Sequence, residues 1–221
     1  MKTNFSLKSN WVIDGVNYRG RTSSITLSQA LLPASTQDEF ASRKKKGRDE
    51  FYVESMPLYH SLFTTLFDNK ENKEFKNGIE EVRHFIKESM FKYGLTTLTR
   101  PRYNPEGKKD LIIHDYKQPQ QKIIKLDSIV GPDGYILDKN TKNIVKPLQA
   151  LLETRQSLEE INNIYGWLTG TDASLIRLNE TPNESLDTVS RFRAISDGAV
   201  LYCDRNPSNS NTGLGVRRAN F

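Results

Sequence analysis

The sequence has one cysteine, Cys203, so no disulfide closes within the chain. Its three histidines, His60, His84 and His114, stand far apart, and a Cys/His zinc pattern is therefore not expected. No apolar run approaches the length that crosses a bilayer. Met1 to Asn10 lacks the apolar h-region of a signal peptide, so classical secretion is not expected. Neither sign of charge dominates strongly: the formal net charge is +5 and the pI about 9.2. Also missing are G-x-x-x-x-G-K-[ST], H-E-x-x-H and G-x-S-x-G. Gly213-Leu214-Gly215 lacks the further glycine and the following helix of a nucleotide loop. Asp110 and Asp115 lie near His114 in sequence, but adjacency is not an acid–base geometry. Enzyme chemistry and a cofactor are accordingly not expected.

The 221 residues are 36% hydrophobic, enough for a core. The expected class is α+β, with strands at both ends and helices between. Trp11-Val12-Ile13 and Val16-Asn17-Tyr18 flank Asp14-Gly15, a favoured hairpin turn. A short helix is expected over Leu27 to Leu32. A second follows Ser35 or Thr36, with Asp38 and Glu39 in its first turn and Gly47 at its end. Leu58, Tyr59, Leu62, Phe63, Leu66 and Phe67 repeat at helical spacing. Ile79, Val82, Phe85, Ile86 and Met90 do the same in a longer helix stopped at Gly94. Strands are expected at Leu111–Ile113, Lys122–Leu126, Tyr135–Leu137 and Ser174–Leu178. A helix from Pro147, restarting at Ser157, should close at Gly166.

The basic cluster Arg43-Lys44-Lys45-Lys46-Gly47-Arg48 reads as a solvated helix end complementing the helix dipole. The alternative is phosphate contact, which would make this a nucleic-acid-associated protein.

The last thirty residues are the most informative. An apolar strand, Ala199 to Cys203, runs into a stretch rich in Ser, Asn and Asp, which ends in a second strand, Gly213 to Ala219. A polar connection held between two strands is usually functional or disordered, and the closing strand argues for function. Tyr202 supplies contact area at low entropic cost, and Ser and Asn supply adaptable hydrogen bonds. Cys203 reads as a small buried hydrophobe.

Arg205-Asn206-Pro207 followed by Gly215-Val216-Arg217 resembles the ending of the formylglycine-generating-enzyme-like branch of the C-type lectin fold. Val189-Ser190-Arg191-Phe192 stands where that branch has an Arg-Gly-Gly strand, without the glycines, and Trp167-Leu168 stands for its Trp segment. Leu214-Gly215-Val216-Arg217 is similar to the close of variable proteins of diversity-generating retroelements, some from archaea and their viruses. The resemblance covers roughly residues 165–221. It implies a single C-type lectin-like domain over residues 1–221, with paired N- and C-terminal strands, bracing helices, a helical insertion around 35–95 and a variable region about 191–221.

It also implies a ligand-binding display protein whose residues 194–212 are diversified on an exposed surface. The ligand would be a protein or cell-surface structure, and a virion component is the structural alternative. The expected contacts are Tyr202, Asp204, Asn206, Ser208, Asn209 and Asn211, then Ser196, Asp197 and Ala199, with Ala194 at the edge of the region. Arg191 and Arg217 are expected to be structural. The branch's catalysis needs paired cysteines, which are missing, and its calcium-dependent relatives need clustered oxygen ligands that Asp197 and Asp204 alone do not supply.

Overall fold

The computed structural model describes residues 10–44, 50–139, 141 and 143–218. The first strands, β1 (Asn10–Tyr18) and β2 (Arg21–Ser28), form a hairpin. Asp14-Gly15 is not its turn. It lies inside β1 as a bulge, where the register passes from Ile13↔Ile25 to Val16↔Ser23, and Gly15 has φ +80°. The reversal comes at Arg19-Gly20, whose φ values of +51° and +75° suit a hairpin turn. The reason is burial. One extra residue flips the strand's alternation, so Trp11, Ile13, Val16 and Tyr18 all reach the core. The helix expected over Leu27 to Leu32 is also corrected: Ile25 and Leu27 are buried on an alternating strand, and β3 (Leu32–Ser35) follows.

The helices match the periodicity. Helix α1 (Gln37–Lys44) opens with a reciprocal pair: Glu39 N donates to Thr36 Oγ1, and Thr36 N donates to the Glu39 carboxylate. Its expected stop, Gly47, lies outside the described residues, as do Lys45, Lys46 and Arg48. Helices α2 (Met56–Asp68) and α3 (Lys76–Lys92) follow. Then come short strands: β4 (Leu95–Thr96), β5 (Arg100–Tyr103), β6 (Asp110–His114), β7 (Lys122–Leu126) and β8 (Gly134–Tyr135). The strand expected at Tyr135–Leu137 is thus only β8. The next helical stretch is two helices, α4 (Val145–Leu152) and α5 (Leu158–Thr169). A capping box on Ser157 and Glu160 starts α5, and Gly170, at φ +84°, ends it rather than Gly166. The chain closes with β9 (Ala173–Ile176), β10 (Leu186–Asp187), β11 (Val189–Ile195), β12 (Gly198–Arg205), β13 (Asn211–Gly213) and β14 (Val216–Arg218).

These strands make three sheets, ordered β1-β2-β14, β10-β5-β6-β7 and β3-β13-β4-β11-β12-β9-β8, giving a mixed α+β architecture. The C-terminal strand pairs with the N-terminal hairpin, Val216 opposite Leu27. The single strand expected from Gly213 onward is two strands in two sheets, separated at Leu214-Gly215. No helix among the described residues is long and apolar enough to cross a membrane.

One core cluster joins residues from Trp11 to Val216. Leu58, Leu62 and Phe63 of α2 and Ile79, Val82 and Ile86 of α3 share it with Phe192 and Leu201. Helices α2 and α3, within the stretch expected as a helical insertion around 35–95, thus contribute to this core. Phe192 lies edge-on to Phe63 at 5.5 Å and stacks on Tyr165 at 6.1 Å. A smaller cluster of Phe40, Ala41, Val53 and Leu98 lies beside β13. A Cβ on Gly213 would fall 2.3 Å from Val53 Cγ2. Gly213→Ala is expected to cost about 1–3 kcal/mol through this overpacking. A urea melt no different from the parent's would contradict that account.

Beneath the hairpin lies a buried ion network. Asp115 accepts from Arg19 at 2.8 Å, Ser55 Oγ at 3.0 Å and the Tyr18 hydroxyl at 3.3 Å, with Lys44 Nζ 3.7 Å away. Glu54 pairs with Lys44 at 2.6 Å and Arg218 at 2.7 Å. It ties the hairpin turn, α1, β6 and the last strand into one unit.

Candidate ligand-binding surface

Strands β11 and β12 divide their side chains between two faces. Phe192, Ala194, Ala199, Leu201 and Cys203 enter the core cluster. Arg191, paired across the ladder with Tyr202, and Arg193, paired with Val200, take the opposite face. Near Cys203 and Asp204 the register shifts, from Arg191↔Tyr202 to Val189↔Arg205, leaving one extra residue on β12. This bulge returns Arg205 to the Tyr202 side, which strict alternation would not do.

The outcome is an arginine cluster around one aromatic ring. The Arg191 guanidinium carbon lies 4.8 Å from the Tyr202 ring centre and that of Arg205 lies 4.4 Å from it. Arg191 Nη1 donates to Asn211 Oδ1 at 2.9 Å, which anchors the end of the polar loop. Gly94 makes room for this: a Cβ there would fall 2.6 Å from Arg191 Nη1. Burial, and next the Arg205 cation, push the Arg191 pKa below its ordinary value. Asp204 Oδ1 is 3.5 Å from Arg205 Nε, an ion-pair distance at which neither atom completes a hydrogen bond. Arg191 Nε and Arg193 Nε likewise lack hydrogen-bond partners although they are buried. Arg193 makes no side-chain hydrogen bond or ion pair among the described residues.

The expected contact residues fall into three groups. Ala194 and Ala199 are at most 1% exposed on the core face, so they offer nothing to a ligand; this corrects their placement on an exposed surface. Tyr202, Asp204 and Asn211 belong to the arginine cluster. Asn206, Ser208 and Asn209 form the loop beside it, where Asn206 Oδ1 accepts from Ser208 N at 2.8 Å and Asn209 N donates to Asn206 O at 3.1 Å. The Asn206 side chain is thus spent on shaping its own turn, while Ser208 and Asn209 are exposed. Ser196 and Asp197 form the opposite tip of the hairpin, about 20 Å away at the rise of a strand. They line an open hollow of about 520 Å³ with Tyr135, Gly170, Thr171 and Asp172, where the Tyr135 hydroxyl donates to the Asp197 carbonyl.

Tyr202 is 9% exposed, so it is a platform under two guanidiniums more than a protruding anchor. Arg193 was not among the expected contacts. Its signal was present in the alternation Arg191-Phe192-Arg193-Ala194, which places both arginines on one face of a strand.

Other candidate groups have structural partners. Asp110 accepts from the backbone N–H groups of Asn104 and Ile129. His114 Nε2 donates to Ala150 O, and Nδ1 accepts from Thr99. Cys203 is buried, which pushes its thiol pKa up to about 12. In the basic cluster, Arg43 donates to Ser35 Oγ and Lys44 is held by Glu54 and Asp115. Among the described residues, no three His, Cys, Asp or Glu side chains converge as a metal centre requires. No family model, curated protein or solved structure matches the chain.

Proposed function

We propose that the chain is a ligand-binding display protein of C-type lectin-like build, recognising a protein or cell-surface ligand through the outer face of β11 and β12 and the loop after them. The observation that carries this reading is the set of buried polar atoms on Arg191, Arg193, Asp204 and Arg205 that lack hydrogen-bond partners on a face turned from the core. Native proteins satisfy nearly all such atoms, and exceptions mark places where water, an ion or a partner completes the set. The pairing of β14 with the N-terminal hairpin and the polar loop ahead of β13 suit that build. The diversified set is narrower than residues 194–212 taken whole, because Ala194, Ala199, Leu201 and Cys203 hold the core.

A substitution library tests the reading. Simultaneous changes at Ser196, Asp197, Ser208 and Asn209, all exposed, are expected to leave Tm within a few degrees of the parent. A single Ala199→Asn should lower it far more, by burying an unsatisfied amide. Equal destabilisation by both would sink the reading. At the level of the gene, a neighbouring reverse transcriptase and a near-copy of the coding end, differing at adenines, would support diversification.

A further inference from the structure

The outer face of β11 and β12 holds more positive charge than its own groups neutralise. Arg191, Arg193 and Arg205 are brought to one face by the ladder and the bulge, and among the described residues Asp204 is the carboxylate ion-paired within the group. Proteins seldom hold three guanidiniums together without anions, because like charges this close repel. Here the aromatic face of Tyr202 and the amide oxygen of Asn211 stand in for them. Arg205 is 35% exposed in its side chain, so its terminal nitrogens reach solvent.

We infer that this face is an oxyanion site for the carboxylates of an acidic protein ligand, which accept hydrogen bonds from the guanidinium of Arg193 and from that of Arg205; the inference rests on the recognition reading above. The planar fork of arginine matches a carboxylate in two parallel bonds. A nucleic-acid backbone is a poorer fit. It is met by cations spread along a track, whereas Arg191 and Arg205 converge on one ring. The flanking surface is also of the kind that contacts protein: Ile195 is 38% exposed, and Ser208 and Asn209 lie exposed beyond the cluster.

The test uses the whole chain and a hexaglutamate peptide, titrated by calorimetry at low ionic strength. Saturable binding is expected, weakened about ten- to a hundredfold by Arg193→Ala or Arg205→Ala, since each removes charge-assisted bonds. Arg193→Lys should recover part of the loss, because it restores the charge without the fork. Arg193 has no intramolecular side-chain partner among the described residues, so Arg193→Ala should keep the parent's melting curve and leave the loss readable. Equal binding by parent and variants, or no binding by the parent, overturns the site. Tighter binding of a single-stranded oligonucleotide of the same charge, lost in the same variants, overturns the carboxylate assignment in favour of phosphate. These outcomes are separate from the display reading, which stands or falls with the substitution library.

Discussion

Asp115→Asn is expected to lower the unfolding free energy by about 3 kcal/mol, on the scale of breaking a buried ion pair from one side. Asp115 is 0% exposed and faces cations from three parts of the chain. Burial alone would raise its pKa. The charges of Lys44, Arg19 and Arg218 and the hydrogen bond from Ser55 outweigh that and hold it below the usual value. The substitution removes charge with little change of shape. Asn also tolerates the left-handed backbone found there, at φ +51°. In the wild type, Arg19, Lys44 and Arg218 face Glu54 and Asp115. In the variant Lys44 and Arg218 stay desolvated beside Glu54 alone, while Arg19, 23% exposed, keeps its second partner, Glu153, at the rim.

Glu153→Gln is the contrast. Its partners, Arg19 and Lys122, have 23% and 49% exposed side chains, and solvent screening should hold the loss below about 1 kcal/mol. Urea midpoints for the two variants check this. Equal midpoints would mean that the network is screened throughout and is no staple.

Acidification from pH 6.5 to 4 is expected to destabilise the protein by up to about 3 kcal/mol for each of two histidines. His60 and His114 are buried, and burial lowers both pKa values from 6.5 to about 4. Burial outweighs the hydrogen bonds of Gln156 and Ala150, which on their own favour the charged form. His60 meets Gln156 at 2.7 Å and the Tyr165 hydroxyl at 3.4 Å, and His114 is fixed by Ala150 O and Thr99. A folded-state pKa below the unfolded value means that the unfolded chain takes up protons first. The stabilisation is therefore complete above about pH 6.5 and falls away as pH drops toward 4. Asp115, whose folded pKa is also lowered, loses its contribution only below its ordinary value of 3.8, so the two windows separate. Urea midpoints measured across this range for the parent and for His60→Gln/His114→Gln give the test. The variant starts less stable and should show a flatter slope. Parallel slopes would show that the histidines do not carry the dependence.

Local signals were legible where local physics decides. Helices α2 and α3 follow from apolar residues at helical spacing, and the start of α5 follows from Ser157 with Glu160 three residues on. Asp14-Gly15 shows the opposite case. It is a strong turn signal, yet burying four large side chains of β1 outweighs it, and the pair becomes a bulge. Leu27 to Leu32 fails for a related reason: Ile25 and Leu27 gain more by facing the core from a strand than a short isolated helix would return. At the candidate surface, the alternation of Arg191 and Arg193 with Phe192 and Ala194 could be read directly. The bulge that carries Arg205 back beside Tyr202 could not, because nothing in Cys203-Asp204 announces it.

The sequence by itself determined the α+β character, helices α2 and α3, the exclusion of an intrachain disulfide and the alternation that points two arginines one way. These follow from rotations and hydrogen bonds between near neighbours, which a short stretch of chain already contains. Tertiary structure decided which charges meet, which apparent contacts are buried and how the expected surface splits into a hairpin tip and an arginine cluster. Ala194 and Ala199 are small and neutral on either face of a strand, and only the helices packed beneath them make them core. Asp115 and Lys44 are ordinary charged residues until folding places them 3.7 Å apart out of water, where their interaction has its strength.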